Sequence, residues 1–349
     1  MNNLWAFLPM RASDDLLGDP AALRARLDED GYLLFRGLLD RDRVLDLRRQ
    51  VTDVLARHGW VRSDDPSLAV AIRRLTWEGE DDFFPVYDDI QRLEAFHTLA
   101  HDERLLDLAG QVRGEGAFPH PLKIARIGFP LSDEVSTPPH QDYPNNQGTP
   151  DLTAAWTPLG DCPRDLGGLA VLRGSHRYGV LPLAWHMGPG MRRAVISDEM
   201  LEALRWVTTD FEAGDVLLFP AMTVHASLHN ASEFHLRLSV DFRYQRPGEA
   251  LTSGVLEPHF QRLSWAEIYE GWSSDRLQYY WRDLDYEVVP FEDLGPPHKE
   301  EMTAEDWGEA FVFEAKRNAR HERRLADLAS PTADEGLGPS RPPTGEGVD

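Results

Sequence analysis

The sequence has little of what a secreted or membrane-bound protein needs. It contains one cysteine, Cys162, so no disulfide can form within the chain, and a cytoplasmic location is expected. No stretch approaches 18 uninterrupted apolar residues, which excludes a typical transmembrane helix. The first residues lack a basic segment followed by an apolar one, so no signal peptide is predicted. Stability must therefore come from the packing of apolar side chains.

Positive charge is also scarce. The 349 residues include 36 Lys and Arg against 59 Asp and Glu, which gives a net charge of −23 with histidine neutral. Such a chain repels phosphate backbones and anionic lipids, so we expect no nucleic-acid partner and no membrane partner. The charge favours solubility, or alternatively attracts a cationic substrate. The sequence leaves open whether the chain works as a monomer or as a homo-oligomer.

The hydrophobic pattern divides the chain into segments of different character. Helical spacing dominates about residues 20–115, and short apolar runs separated by Pro, Gly and Asp fill about residues 121–245. The second segment predicts an all-β core, either a barrel or a sandwich. An aromatic-rich extension covers about residues 250–300. A charged helix is predicted over 301–328, and the Pro- and Gly-rich residues 329–349 are predicted to be a disordered tail.

Local signals place individual elements. Asp19-Pro20 is a typical helix start, and the spacing over 41–58, followed by Gly59, predicts a second helix. The predicted strands of the β segment are Leu122–Phe129, Leu152–Leu159, Gly168–Leu172, Val216–Phe219 and His235–Tyr244. In the last of these strands polar and apolar residues alternate, with Leu236, Leu238, Val240 and Phe242 on one face and Arg237, Ser239, Asp241 and Arg243 on the other. One face of this strand is therefore expected to pack and the other to line a polar space.

A possible metal motif lies in the middle of the chain. His140-Gln141-Asp142 is a His-x-Asp triplet, and residues two apart in an extended segment point to the same side. His225 lies 83 residues after Asp142, just past a predicted strand, and Arg237 follows on the polar face of the next strand. Two histidines and a carboxylate form a facial triad, which leaves three positions on Fe(II) for a bidentate 2-oxo acid and O₂. An arginine offers a planar fork to the far carboxylate of that acid.

With these residues in view, the chain resembles the phytanoyl-CoA dioxygenase (PhyH-like) family of Fe(II)/2-oxoglutarate-dependent oxygenases over most of residues 20–245. The matching blocks are residues 30–37 (DGYLLFRG), His140-Gln141-Asp142, residues 156–161 (WTPLGD), residues 167–177 (GGLAVLRGSHR), and residues 214–219 (GDVLLF) with 225–230 (HASLHN). Each block alone is weak, but together they are specific.

The resemblance implies the fold, the cofactors and the site. The fold would be mainly β with flanking helices, a double-stranded β-helix (jelly roll, cupin-like), in a single oxygenase domain over residues 1–300. Fe(II) and 2-oxoglutarate would be the cofactors, with O₂ as co-substrate. The residues carried over are His140, Asp142 and His225 as catalytic metal ligands and Trp156, Ser227 and Arg237 as 2-oxoglutarate contacts. Lys123 and Arg126 are candidates for an upstream 2-oxoglutarate contact.

The expected reaction is hydroxylation or oxidative cyclisation of a small polar metabolite, with decarboxylation of 2-oxoglutarate to succinate. The acidic chain favours a polar or cationic substrate, such as an aminoglycoside-like sugar, and natural-product biosynthesis is a candidate setting. Asp142 argues against a halogenase, because related halogenases replace this carboxylate with a small residue. Two alternatives stay open: a cupin-like metal protein that isomerises or binds a ligand without O₂ chemistry, and a non-catalytic β-sandwich interaction module.

The other histidines are interpreted as structural. His176 lies in a predicted turn between strands, and His229 and His235 are expected to support packing. Two His-x-Glu triplets are rejected as metal sites: His101-Asp102-Glu103, because it is predicted to be helical, and His298-Lys299-Glu300, because it lacks a strand context. Gln141 and the polar residues after Asp142 are interpreted as a solvated loop, with substrate contact as the alternative.

Overall fold

The computed structural model describes residues 7–72, 81–130, 136–185 and 192–295. Within these residues the helices are α1 Pro20–Asp30, α2 Arg41–Arg57, α3 Phe84–Gln91, α4 Glu94–Leu99, α5 Glu103–Arg113, α6 Tyr143–Asn146, α7 Asp198–Ala203 and α8 Trp265–Tyr269. The strands of the same residues are β1 Leu8–Pro9, β2 Leu33–Phe35, β3 Phe118–Pro119, β4 Ile124–Gly128, β5 Thr153–Pro158, β6 Leu169–Leu172, β7 Leu183–Trp185, β8 Arg192–Ala194, β9 Trp206–Thr208, β10 Val216–Pro220, β11 His225–Ser227, β12 Arg237–Gln245, β13 Ala250–Thr252 and β14 Glu287–Val289.

Two sheets form the centre of the molecule. The six-stranded sheet has the order β2-β10-β5-β12-β3, and β4 also pairs with β12. The four-stranded sheet has the order β1-β9-β6-β11. All five predicted strands of the β segment are present, with ends that differ from the predicted ones by at most two residues. The two sheets are therefore those of the predicted jelly roll.

The sheets face each other across an apolar interior. One cluster of buried side chains joins Trp156, Leu217 and Phe219 of the large sheet to Val171 and Val207 of the small sheet. Face-to-face packing of two sheets in this way is what makes a sandwich-like core of interdigitating side chains. The interior near β11 and β12 is polar, and the candidate site lies there.

Strand β12 has the two faces that its sequence predicts. Its apolar residues, including Leu238, Val240 and Phe242, belong to the large core that also contains the buried side chains of α2. Its polar residues face the other way, and Asp241 is paired with Trp156 of the interior. All nine residues of the strand are buried. The alternation therefore separates a packing face from a face that lines the inside of the jelly roll.

The N-terminal helices cover the outer face of the large sheet. The side chain of Asp19 accepts hydrogen bonds from the backbone of Ala21 and Ala22, Pro20 follows in the first turn of α1, and Gly31 ends the helix at φ 72°. Helix α2 buries its apolar stripe, which consists of Val44, Leu47, Val51, Val54 and Leu55. Each such side chain contributes roughly 1.5–3 kcal/mol on burial.

One detail of the helical prediction is wrong. His101 lies in the turn between α4 and α5, Asp102 caps α5 and Glu103 is its first residue, so the triplet is not inside a helix. The Asp102 side chain accepts a hydrogen bond from the backbone of Arg104 and therefore acts as an N-cap.

The aromatic-rich extension forms a small core of its own. Trp265, Ile268, Tyr269 and Trp281 are buried together. The hydroxyl of Tyr280 donates to the carbonyl of Pro119 at 2.6 Å and thereby joins the extension to the end of β3. The predicted helix over 301–328, the predicted tail over 329–349 and the triplet at 298–300 lie outside the described residues. No helix in the described part of the chain is both long and apolar enough to span a membrane.

Candidate metal centre

The two histidines of the predicted triad are joined through their backbones. The amide of His140 donates to the carbonyl of His225 at 2.9 Å, and the amide of His225 donates back at 3.0 Å. This antiparallel bridge brings the two imidazole rings to a centroid distance of 4.1 Å. A segment that is 85 residues away in the chain is thus fixed beside the His-x-Asp triplet.

Hydrogen bonds orient both rings in the same way. Nδ1 of His140 lies 2.8 Å from the carbonyl oxygen of Pro138, and Nδ1 of His225 lies 3.0 Å from that of Thr223. A carbonyl oxygen only accepts, so each Nδ1 carries the proton and each Nε2 presents its lone pair. Burial lowers the pKa of His140 to about 3 and also lowers the pKa of His225. Both imidazoles are therefore neutral at physiological pH, as metal ligation requires.

Asp142 completes the group. Its Oδ1 lies 3.8 Å from Nε2 of His140 and 3.9 Å from Nε2 of His225. Two atoms that are each about 2.1 Å from one ion lie at most about 4.2 Å apart, so these distances suit a shared ion. Within the described ranges this is the one group of His, Cys, Asp or Glu side chains arranged to hold a metal.

Arg243 is a member of the site to which the sequence assigned no role. Its Nη2 lies 3.0 Å from Oδ1 of Asp142, and its Nε lies 3.2 Å from Oδ2. Burial would raise the pKa of Asp142, but the guanidinium of Arg243 holds that pKa below its usual value. The signal was present in the sequence, since Arg243 was placed on the inward face of β12.

The predicted 2-oxoglutarate residues Arg237 and Ser227 lie together. The guanidinium of Arg237 donates to Oγ of Ser227 at 3.1 Å and to Oγ of Ser239 at 2.5 Å. Gly128 lies opposite on β4, and a Cβ there would come within 3.2–3.4 Å of the Arg237 side chain. The cluster offers hydroxyl groups and a guanidinium at one end of the same interior, and it includes Ser239, to which the sequence assigned no role.

Trp156 lies in the interior with an unusual feature. Its ring packs edge-on against Phe211 at a centroid distance of 4.9 Å. Its indole Nε1 is buried and finds no hydrogen-bond partner within the described structure. A buried N–H without an acceptor is costly, and such a group is expected to meet a ligand oxygen.

The two upstream candidates differ in their placement. Arg126 lies on β4 with its Nε 3.4 Å from Asp241, so it belongs to the interior. Lys123 does not, because its ammonium group donates to the carbonyls of His120 and Pro121 and to the hydroxyl of Tyr280. Lys123 comes one residue before β4 and an odd number of positions before Arg126, and side chains with odd spacing in an extended segment point to opposite sides.

The remaining predicted positions are structural. Gln141 is not part of a solvated loop, because its side chain donates to the carbonyls of Gly179 and Met222 and accepts from the amide of Leu181. His176, His229 and His235 lie outside the metal-binding group.

His140, Asp142 and His225 fit one iron ion, since they supply two imidazole lone pairs and one carboxylate, and the cluster of Arg237, Ser227 and Ser239 fits a carboxylate of 2-oxoglutarate.

The chain is similar in sequence to known oxygenases. The family model of phytanoyl-CoA dioxygenase (PhyH) matches residues 27–238. A 1-deoxypentalenic acid 11-beta-hydroxylase from Streptomyces arenae is 30% identical over 240 residues, which cover 66% of this chain and 82% of that protein. The same enzyme from Streptomyces exfoliatus is 30% identical over 243 residues, with the same coverage.

Solved structures show more distant similarity. The epimerase SnoN, in complex with Fe³⁺, alpha ketoglutarate and nogalamycin RO, is 23% identical with a TM-score of 0.49 and covers 67% of this chain and 87% of its own. The alpha ketoglutarate dependent carbocyclase SnoK is 20% identical with a TM-score of 0.49, and the coverage is 74% and 94%. The family model spans more than half of the sequence, and the chain therefore belongs to the phytanoyl-CoA dioxygenase family and is an Fe(II)- and 2-oxoglutarate-dependent oxygenase.

Proposed function

We propose that the chain holds Fe(II) through His140, Asp142 and His225 and couples the conversion of 2-oxoglutarate to succinate to the oxidation of a C–H bond in a small metabolite. The observation that carries this proposal is the meeting of three atoms, Nε2 of His140, Nε2 of His225 and Oδ1 of Asp142, within 4.8 Å of one another in a buried site. Bound iron with 2-oxoglutarate and O₂ supplies the oxidising power, which no side chain of the protein can provide.

The residues of the chain bind and orient the cofactors. The neutral imidazoles present their Nε2 atoms because backbone carbonyls fix both Nδ1 protons. A facial set of three protein ligands would leave the other three positions of the ion to 2-oxoglutarate and O₂. Burial of the group keeps water from competing for these positions.

The cluster of Arg237, Ser227 and Ser239 is proposed to bind the far carboxylate of 2-oxoglutarate. A guanidinium and two hydroxyl groups donate hydrogen bonds in a geometry that suits a planar carboxylate. The indole N–H of Trp156 is proposed to donate to another oxygen of the same molecule, which would satisfy the buried donor. These four side chains fix the end of the molecule that does not react.

Hydroxylation is the reaction that we favour, and natural-product biosynthesis is the setting. The support is the identity of 30% to two enzymes whose names give an 11-beta-hydroxylase of 1-deoxypentalenic acid. A polar, aminoglycoside-like substrate stays a prediction from the acidic composition. Oxidative cyclisation is the alternative outcome at the same site.

The setting of the reaction is also part of the proposal. We infer a cytoplasmic enzyme with a single oxygenase domain over residues 1–300 and a small-molecule substrate, without a nucleic acid or membrane partner. The net charge of −23 supports the exclusion of polyanionic partners. Light scattering of the purified chain distinguishes a monomer from a homo-oligomer.

The test is a coupled assay. The protein is loaded with Fe(II) and 2-oxoglutarate without oxygen, mixed with a panel of candidate metabolites and exposed to air, and succinate is measured. The proposal expects succinate formation that a substrate stimulates and that His225→Ala abolishes. Metal binding without succinate would favour a cupin-like isomerase or ligand-binding protein. A folded protein that takes up no iron would favour an interaction module.

A further inference from the structure

Arg243 contacts the carboxylate of Asp142, the residue whose Oδ1 lies nearest the two imidazoles. Both Asp142 oxygens are within 3.2 Å of the guanidinium, and Nη2 contacts Oδ1 at 3.0 Å and Oδ2 at 3.1 Å. The Arg243 side chain is 3% exposed and that of Asp142 is 4% exposed. The contact is thus a buried, multidentate ion pair rather than a surface contact.

Arg243 is itself held in place. Its Nη1 lies 2.6 Å from Oδ2 of Asp241, which stands two residues earlier on the same face of β12. Its backbone is paired with Ala154 of the neighbouring strand β5. Asp241 in turn lies 3.4 Å from Nε of Arg126 on β4. The four charged side chains thus alternate in sign from Asp142, in the segment before α6, through β12 to Arg126 on β4.

The position of Arg243 limits how Asp142 can bind an ion. A carboxylate can bind a metal through one oxygen or through both, and the second mode takes a coordination position away from other ligands. Nε and Nη2 of Arg243 hold Oδ2 at 3.2 and 3.1 Å, which favours the orientation in which Oδ1 faces the two Nε2 atoms. Oδ1 is the carboxylate oxygen nearest to both imidazoles, at 3.8 Å from Nε2 of His140 and 3.9 Å from Nε2 of His225.

We propose that Arg243 is a positioning residue that holds Asp142 as a one-oxygen metal ligand and thereby keeps three coordination positions open. The inference rests on the proposed function, because it assigns a role beside the same iron site. Arg243 touches neither 2-oxoglutarate nor substrate in this role, and it acts only through Asp142. Asp241 supports it by fixing the guanidinium from the other side.

The test compares three variants with the wild-type protein: Arg243→Met, Arg243→Lys and Asp241→Asn. Anaerobic titration with Co(II), and with Fe(II), gives metal affinity, and the visible absorption of the Co(II) protein reports on its coordination. Loss of a side chain that orients a ligand weakens metal binding by about 10- to 100-fold, and this is the expectation for Arg243→Met. Arg243→Lys should recover part of the loss. Asp241→Asn, which leaves Asp142 paired with Arg243, should weaken binding by less than Arg243→Met does.

A matched control separates positioning from stability. Arg173 also pairs with a buried carboxylate outside the metal site, since its Nε lies 2.7 Å from Oδ1 of Asp30, but its own side chain is 43% exposed. Arg173→Met should lower the melting temperature of the metal-free protein but leave Co(II) affinity and the absorption spectrum unchanged. The Arg243 variants should change the spectrum at saturating metal, which a merely structural role would not do.

The outcomes are distinguishable. Wild-type metal affinity and a wild-type spectrum in a folded Arg243→Met protein would overturn the role of Arg243 and leave the iron site intact, and wild-type values in Asp241→Asn would overturn the supporting role of Asp241. An equal loss of metal affinity in Arg173→Met would show a general effect of stability and would also overturn it. A folded wild-type protein that binds no metal would overturn the proposed function, and the positioning role with it.

Discussion

Two arginines on one strand have different partners and different consequences. Arg237 contacts the hydroxyl groups of Ser227 and Ser239, whereas Arg243, six residues later, contacts the carboxylate of Asp142. Side chains two, four and six residues apart in a strand share a face, so β12 places both guanidinium groups inside the jelly roll. The first belongs to the proposed 2-oxoglutarate cluster and the second pairs with a residue of the His-Asp-His group. Removing each should therefore affect a different binding event.

Arg237→Ala should raise the 2-oxoglutarate concentration needed for half-maximal succinate formation by about 10- to 100-fold, because a hydrogen bond to a charged group contributes about 1.5–3 kcal/mol. Iron content should change by less than about twofold, since Arg237 does not contact the triad in the structure. Both quantities can be measured on the same preparation, by assay and by elemental analysis. A parallel loss of iron and 2-oxoglutarate would show that Arg237 supports the fold instead.

Trp156→Phe keeps an aromatic ring and removes the buried indole N–H. If this N–H donates to 2-oxoglutarate, affinity for 2-oxoglutarate should fall by about threefold to tenfold, which corresponds to a neutral hydrogen bond. Titration of the metal-loaded protein with 2-oxoglutarate measures the effect. Trp60→Phe, in the core beneath the helices, is the control and should leave the affinity unchanged. Equal 2-oxoglutarate affinities in the wild type, Trp156→Phe and Trp60→Phe would mean that the Trp156 ring only packs in the site and donates no hydrogen bond to 2-oxoglutarate.

Lys123 makes the stability of the molecule depend on pH. Burial lowers the pKa of Lys123 from 10.5 to about 7. Between these values the unfolded chain binds more protons than the folded one, so stability should rise as pH increases from about 7 to about 9, by at most about 1.4 kcal/mol per pH unit. Urea unfolding of wild type and Lys123→Met over this range tests the sign. A pH slope that survives in Lys123→Met would assign it to another group.

At the scale of elements, the loops that carry the triad are tied together by one side chain. Gln141 lies between the two ligands of the His-x-Asp triplet, and its amide contacts the carbonyls of Gly179 and Met222 at 2.7 and 2.6 Å. Met222 precedes His225 in the turn between β10 and β11. The amide therefore sets the distance between the segment that carries Asp142 and the segment that carries His225.

Gln141→Glu replaces a buried donor with an acceptor and should destabilise the protein by about 3 kcal/mol or more, because two carbonyls lose their donor and face a carboxylate. Chemical denaturation measures the loss. Gln50→Glu, on the exposed face of α2, should change stability by less than about 0.5 kcal/mol. A tolerated Gln141→Glu would show that the three loops are held by their backbones alone.

The elements also show what the sequence can and cannot predict. Alternation in β12 and the helical spacing of α2 are local signals, and both elements were predicted to within two residues. The grouping of His140, Asp142 and His225 was predictable because the His-x-Asp triplet and the histidine after a predicted strand occur together with the other blocks of the family. The partnership of Arg243 with Asp142 was not, since it joins residues 101 positions apart. The position of Lys123 was not predictable, because proximity to Arg126 in the sequence does not show that Lys123 lies just before β4 with its side chain bonded to His120, Pro121 and Tyr280.

At the scale of the whole molecule, the exterior and the site differ in charge. The chain has a net charge of −23, yet Arg126, Arg237 and Arg243 all lie on the inner face of the jelly roll. Like charges on the exterior repel one another, and this repulsion opposes the compact state. The consequence is a stability that depends on ionic strength.

Raising NaCl from about 0.02 M to about 0.3 M should therefore increase the melting temperature by a few degrees, because the Debye length falls from more than 20 Å to below 8 Å and surface repulsion is screened. Thermal unfolding followed by circular dichroism measures the change. A melting temperature that falls with salt would show that surface ion pairs, such as Arg41 with Asp161, outweigh the repulsion.

Strand β12 is bonded to β5 on one side and to β4 and β3 on the other, so its backbone has no freedom to shift. A register shift of one residue would place the arginines of β12 in the apolar core beneath the helices and its leucines in the polar interior of the jelly roll. The order of Arg237 and Arg243 in the site is for this reason tied to the order of the large sheet. Inactivation by heat should coincide with collapse of the entire architecture, and changes in what the enzyme accepts must arise in the loops around the chamber.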